Sequence, residues 1–398
     1  MEKNVSFQIE STQFNGKIIY SNADNCNIKC TLVKPDSSVL QKLFENGSIF
    51  EFSGIVEEIG EFTALNCDVR DGIHPFAYLI IENTRELNYK IDIGKLYLNA
   101  SHVNDEMKVK KVDVRFSSVD EWIHNDERKK TFIKQNDCSI TLANSFISIE
   151  PSSPITLQQL DEILFDLQVF FEVLILNNSV KTIEKYIYTI DDTKIEEVMR
   201  YKQEPKANEE FLFRYDTNNI ESVLNHWFEA KNVYGKIFSY LSGILNESSA
   251  EYLDLKFLML AQWIEAYSRE FLNNKVQSSI NECVENSEAN TYRKNLKQLF
   301  QTKNIDEIIF GNSSSQKRNK LIDQIICYRD HLVHLNVKDD LNRTQMGNLY
   351  EILKDLIYIF LIKELDVAID DRRINEIRRK YMRYQTFSES IVKCRNKQ

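Results

Sequence analysis

The sequence predicts an α+β protein, in which an antiparallel β-rich first part, a sandwich or barrel, precedes an all-α helical bundle. Three observations carry this expectation. Short β-rich runs and six of the ten glycines fall before residue 150. A PSSP break at 151–154 then introduces leucines at helical spacing. Beyond it only four glycines remain, so polar clusters such as GNSSSQ and NVKDD mark the ends of helices.

In chain order, the runs NIKCTLVK, SIFEFSGIVEEI, AYLIIEN, YKIDIGKLYL and CSITLANSFISIE read as strands, and Val112, Val114 and Phe116 alternate in KVKKVDVRF as on a half-buried strand. After the break, Thr156 and Gln159 form a capping box, and Leu157, Leu160, Leu164, Leu167, Phe171 and Leu174 make one apolar helical face. Further helices are expected at 219–246, 251–273, 288–301, 315–335, 341–366 and 370–384. The resulting division is a β-rich sensor or regulatory domain at 1–150, a helical connecting region at 151–246, and a bundle with a basic tail at 247–398.

Composition narrows the function classes. With 42% apolar residues, 23 Phe and 18 Tyr in 398 residues, the chain can bury a substantial core. The N-terminus MEKNVSFQIESTQF lacks the apolar stretch of a signal peptide, and no long uninterrupted apolar run exists, so a cytoplasmic protein without a membrane partner is expected. Seven cysteines spread from Cys26 to Cys394 read as reduced thiols. Cys26 and Cys30 are the only close pair and no second pair follows at zinc-site spacing, so neither metal nor cofactor is expected. The net charge of −10 disfavours nonspecific coating of nucleic acid but leaves room for a local basic groove. In the first part His74, His102 and His124 stand isolated, Glu57, Glu58 and Glu61 form an acidic cluster beside a turn, and a binding or sensing role is the default.

The chemistry concentrates in CYRDHLVHLN, where Arg329 and His334 lie five positions apart near a helix end. A histidine moves a proton at neutral pH, and an arginine holds a phosphate on which charge builds, a combination suited to metal-independent RNA cleavage. Spacing alone proves little: 17 Arg and 6 His in this length give an arginine followed by a histidine after four to six residues about 0.8 times by chance. On a straight helix the two side chains sit about 140° apart, whereas Asp330 and His334 share a face. Asp330 can therefore orient the imidazole. For both groups to reach one phosphate, the helix must end or distort near His334, or two copies must meet across a two-fold axis. The plainer reading makes His331 and His334 ordinary amphipathic-helix residues and Arg329 and Asp330 solvated ion-pair partners.

The C-terminal region resembles the HEPN superfamily of helical ribonucleases, whose signature of arginine, four to six residues and histidine, often with a polar residue after the arginine, is met by Arg329, Asp330 and His334. FLMLAQWIEAYSREF at 257–271 is similar to the first bundle helix of the ApeA-type branch through Glu265, Tyr267 and Arg269. One departure is Asp330, where asparagine is common. The resemblance covers roughly 250–370. It implies an RNase effector of bacterial anti-phage defence that acts by abortive infection, with the β-rich part sensing an unidentified phage-derived trigger. It also implies a homodimer through the bundle, RNA, with tRNA as a candidate, as substrate, and 2′,3′-cyclic phosphate ends. Arg329, His334 and Asp330 would be catalytic, with Glu265, Tyr267 and His331 in support. The alternative is a noncatalytic HEPN-type module that binds nucleic acid or a partner protein.

Three further features have two readings each. Glu265 either pairs with Arg329 or His334 across the bundle or makes a surface pair with Arg269. Trp263, Tyr267 and Phe271, four apart, fit a core stripe better than a base-stacking platform. The segment 370–398, with RRINEIRRKYMRY, either contacts RNA phosphates through Arg372, Arg373, Arg378 and Arg379, with Tyr381 or Tyr384 stacking on bases, or is a solvated helix paired with the acidic remainder.

Overall fold

The computed structural model describes residues 2–9, 12–20, 26–33, 50–71, 86–117, 131–135, 137–143, 146–176, 180–198, 210–211, 219–241, 252–278, 288–311, 315–334, 343–368 and 371–387, with Val119, Trp122 and Ile244. The AYLIIEN run, His74, His124, Leu335 and Cys394 lie outside these residues, as do the side chains of Cys26, Cys30 and Tyr384. The chain divides into two compact units, Met1–Gln168 with Val180–Asn208, and Val169–Ser179 with Glu209–Gln398.

The first unit is an antiparallel sheet. Its strands begin with β1 (Glu2–Ile9), β2 (Thr12–Tyr20), β3 (Cys26–Val33), β4 (Phe50–Val56), β5 (Gly60–Asp71), β6 (Glu86–Asp92) and β7 (Lys95–Leu98). They continue with β8 (Lys108–Phe116), β9 (Thr131–Gln135), β10 (Cys138–Ala143), β11 (Phe146–Pro151) and β12 (Ile155–Thr156). Six strands pair in a closed cycle, β4 to β1, β2, β3, β6, β5 and back to β4. The twelve-residue β5 makes closure possible, because its first half pairs with β4 and its last residues with β6. Barrel closure removes the unpaired edges that an open sheet of this part would expose.

Aromatic rings fill the buried side of the cycle: Phe7 stacks on Phe14 at 5.0 Å between centroids, and Phe52 meets Phe7 at 4.6 Å and Phe62 edge-on at 5.8 Å. Room for Phe62 comes from Gly54, its cross-strand partner. A Cβ there would lie 2.3 Å from the Ser6 carbonyl oxygen, 2.6 Å from Phe7 Cβ and 2.7 Å from Phe62 Cε1.

From β5 the sheet runs on, open-ended, through β7 and β8 to β11, β10 and β9. On β8 the expected alternation holds, with Val112, Val114 and Phe116 at most 1% exposed and Asp113 and Arg115 half-buried opposite them. The capping box forms at the start of α1 (Leu157–Leu174): Thr156 N donates to Gln159 Oε1 at 3.0 Å and Gln159 N to Thr156 Oγ1 at 3.2 Å.

The expected helical connecting region at 151–246 needs correction beyond α1. After β13 (Ile175–Leu176) the chain returns to the first unit's sheet as β14 (Thr182–Thr189) and β15 (Lys194–Glu197), which join β8 to β7. The sheet wins this segment because Ile187 and Ile195 bury their side chains and because Lys185, though charged, finds Asp161 at 2.7 Å and Glu197 at 2.8 Å. β16 (Glu210–Phe211) pairs with β13 in the second unit.

The other described elements of the second unit are helices: α2 (Ile220–Tyr234), α3 (Lys236–Ser239), α4 (Leu253–Ser278), α5 (Glu288–Thr302), α6 (Ile305–Phe310), α7 (Ser315–Val333), α8 (Arg343–Glu364) and α9 (Asp371–Phe387). Gly235, at φ 53°, breaks α2 from α3 inside the span expected as one helix. The six-residue α6 is too short for periodicity to announce, yet it buries Ile305, Ile308 and Ile309. α4 packs on α5, α7 and α8, and α9 packs on α6 and α8. Trp263, Tyr267 and Phe271 belong to this core, at 4%, 0% and 7% exposure. Among the described residues, no helix is long and apolar enough to cross a membrane.

Candidate active site

α7 carries the Arg329 motif, and its apolar positions and cross-links together fix where that motif emerges. Leu321, Ile322 and Ile325 are fully buried. Along the helix, Arg318 pairs with Asp306 of α6, Asp323 with Arg293 of α5, and the Tyr328 hydroxyl donates to Gln345 Oε1 of α8 at 3.1 Å. The helix ends at Val333, and the His334 amide still donates to the Asp330 carbonyl at 3.0 Å. The expected helix end beside His334 is present.

Arg329 sits in a seat built by three helices. Its Nη2 donates to Glu265 Oε2 of α4 at 2.6 Å, and its Nη1 to Asp330 Oδ1 at 2.9 Å. The guanidinium carbon lies 5.6 Å from the ring centroid of Tyr292 on α5. The Tyr292 hydroxyl donates to the Ala261 carbonyl at 3.3 Å, which fixes the ring. Nε is shielded from solvent and has no hydrogen-bond partner among the described residues. Burial pushes the Arg329 pKa down, but the Asp330 hydrogen bond and the Glu265 charge outweigh it and leave it above the ordinary value. Burial pushes the Tyr292 phenol up, Glu265 adds to this and Arg329 opposes it, so Tyr292 stays neutral and acts through its ring face.

This geometry decides between the two readings of Glu265. It pairs with Arg329 across the bundle, while Arg269 turns to Glu270 at 3.7 Å. His334 is exposed and His331 half-buried. The Asp330 carboxylate serves Arg329, and among the described residues the His334 ring has no hydrogen-bond partner. Tyr267 lies in a different cluster. Its hydroxyl donates to Glu364 Oε1, which also accepts from Tyr234 at 3.1 Å and Lys303 at 2.5 Å. Burial first, and Glu364 second, push the Tyr267 phenol well up. It holds α4 to α8 rather than touching Arg329.

The basic helix splits by face. Arg373 pairs with Asp355 at 3.1 Å and Glu376 at 2.8 Å, and Arg378 donates to the Ile308 and Glu307 carbonyls at 3.0 and 2.8 Å, closing the C-terminal end of α6. Tyr381 is 2% exposed against Phe310. Arg372 and Arg379 are exposed. Tyr292 is the site residue that sequence reasoning missed; one tyrosine in an amphipathic helix carries no mark of what it will face.

Residues 258–371 match the family model of Apea-like HEPN domains. Comparison with curated proteins and with solved structures found no match. The C-terminal helical region therefore contains an ApeA-like HEPN domain, which spans Glu265, Tyr292, Arg329 and His334 and implies an RNA-related, nuclease-type function in defence.

Proposed function

Starting from this HEPN domain, we propose that the protein is a metal-independent endoribonuclease effector of anti-phage defence. The carrying observation is the end of α7, where Arg329 is seated by Glu265, Asp330 and Tyr292, and His334 follows at the helix terminus, exposed. His334 takes the proton of a ribose 2′-OH, and the 2′ oxygen attacks the adjacent phosphorus. The bond to the 5′ oxygen breaks, a proton returns to that oxygen, and the products carry a 2′,3′-cyclic phosphate and a 5′-OH. Arg329 offsets the negative charge that develops on the phosphoryl oxygens. DNA, without a 2′-OH, is inert on this chemistry.

A homodimer through the HEPN domain, in which a second copy completes the site, is supported by the positions of Arg329 and His334, about 140° apart around one helix. The substrate is RNA, with tRNA as the candidate, the β-rich unit senses the phage-derived trigger, and the protein acts in the cytoplasm by abortive infection. A second reading, a noncatalytic nucleic-acid or protein-binding module, is favoured by one observation: two carboxylates already take up the Arg329 charge.

The test is cleavage of total bacterial RNA in EDTA by wild type and His334→Ala, with and without phage lysate, followed by end-group analysis. Cyclic-phosphate ends from wild type alone are expected. Absence of His334-dependent cleavage in both conditions would favour the noncatalytic reading.

A further inference from the structure

We infer that the exposed face of α9 is a docking surface for the RNA phosphate backbone, formed by Arg372, Arg379 and Arg383. The inference rests on RNA being the substrate of the HEPN domain, but the surface lies outside it: the family match ends at residue 371, where α9 begins.

α9 contains six Lys or Arg against two Asp or Glu, a formal +4 within a chain of −10. Its inner face is committed to the fold. Ile377 and Tyr381 are buried, Arg373 and Lys380 flank the buried Asp355 of α8, and Arg378 closes α6. Arg372, Asn375, Arg379, Met382 and Arg383 are exposed. At about 100° per residue, Arg372, Arg379 and Arg383 fall within about 40° of one another around the axis. At about 1.5 Å rise per residue they sit about 10 and 6 Å apart along it. The acidic residues of α9 itself are Asp371, beside Arg372 in sequence, and Glu376, which Arg373 meets at 2.8 Å. The Arg379 Nε bonds the Asn375 carbonyl at 3.3 Å, which holds that side chain along the helix.

The occupant follows from this chemistry. Three guanidiniums strung over about 17 Å are too far apart for one small anion and suit a repeating one, and the planar guanidinium fork matches phosphate oxygens. An anionic membrane fits less well, because among the described side chains of α9 Met382 is the exposed large apolar one, and a membrane-lying helix needs a broad apolar face. Docking on α9 would fix the strand on the protein while leaving base identity unread.

The experiment uses the full chain with His334→Ala, so that RNA stays intact, and titrates labelled total tRNA across a salt series. Arg372→Gln/Arg379→Gln/Arg383→Gln is expected to weaken binding about tenfold or more near 0.1 M salt and to lower the slope of log K against log salt by about two, three contacts at about 0.7 each. The triple Arg→Lys variant keeps the slope, which separates charge from fold. An unchanged slope in the Gln variant, no RNA binding by the parent chain, or tighter binding to phosphatidylserine vesicles than to tRNA would overturn the inference. RNA cleavage by chains with His334 intact is read in parallel. A lowered slope without cleavage sinks the nuclease reading alone, and cleavage with an unchanged slope sinks the docking surface alone.

Discussion

Replacing Glu265 isolates what the seat does for Arg329. The carboxylate meets Nη2 at 2.6 Å, with the two side chains 28% and 25% exposed, so the pair is neither fully solvated nor fully buried. At an effective dielectric constant of about 20 and a charge separation of about 4 Å the gross attraction is about 4 kcal/mol. Desolvation and the ordering of two long side chains take back more than half, leaving about 1–2 kcal/mol. That corresponds to about 5–30-fold in the fraction of molecules with Arg329 in place. Glu265→Ala is therefore expected to lower the single-turnover cleavage rate by about this factor and leave RNA binding nearly unchanged. Glu265→Gln, which keeps an acceptor and loses the charge, should fall between. Rapid-quench cleavage of labelled RNA and a binding titration on the same preparations make the measurement. A wild-type rate in Glu265→Ala, with an unaltered melting temperature, would refute the positioning role. A faster rate would show that Glu265 competes with the phosphate for Arg329.

Two further predictions concern the β-rich unit. Gly54→Ala places a Cβ against the Ser6 carbonyl, Phe7 and Phe62, and should destabilise the unit by about 1–3 kcal/mol in a denaturant melt; an unshifted midpoint would contradict the closed cycle at that crossing. Burial pushes the Asp161 carboxyl up, but Lys185 and Lys95 outweigh it and hold its pKa below the ordinary value. Its contribution is then present above the unfolded-state carboxylate pKa and is lost as pH falls through the lower folded value, so melting between about pH 5 and 2 should lose less stability in Asp161→Asn than in wild type.

The helices were legible because α4, α5, α7 and α9 each bury one face against neighbours, which stamps a helical period on the sequence, whereas α8, buried on every side from Ile352 to Ile362, shows as a long, mostly apolar run. The Thr156 and Gln159 capping box was legible because it is local. The hairpin of β14 and β15 was not: a buried Lys185 looks like a surface residue until Asp161 and Glu197, respectively 24 residues before and twelve after it, are brought to it. At the site, Arg329, Asp330 and His334 could be found from one short motif. Glu265, 64 residues away from Arg329, needed the resemblance, and Tyr292 needed the packing of α5. Nor does spacing along α9 show that Arg373 and Arg378 serve the fold while Arg372 and Arg379 remain exposed. That depends on Asp355 and on the end of α6, which belong to other helices.

The charge count at Arg329 constrains any mechanism. One guanidinium faces two carboxylates, so an incoming phosphodiester meets a seat already negative by one, His334 aside. Symmetric pairing of two copies does not alter that ratio, because it brings two arginines and four carboxylates together. What pairing adds is a second histidine. Transesterification needs one group to accept the 2′-OH proton and another to donate to the departing 5′ oxygen, so two histidines in one cleft would work in opposite protonation states. The protonated one supplies a positive charge that a single copy with a neutral His334 lacks. On this reasoning the Arg329 seat is built to orient the guanidinium rather than to capture the phosphate by charge. Capture then falls to a basic surface elsewhere on the chain, the part assigned to α9.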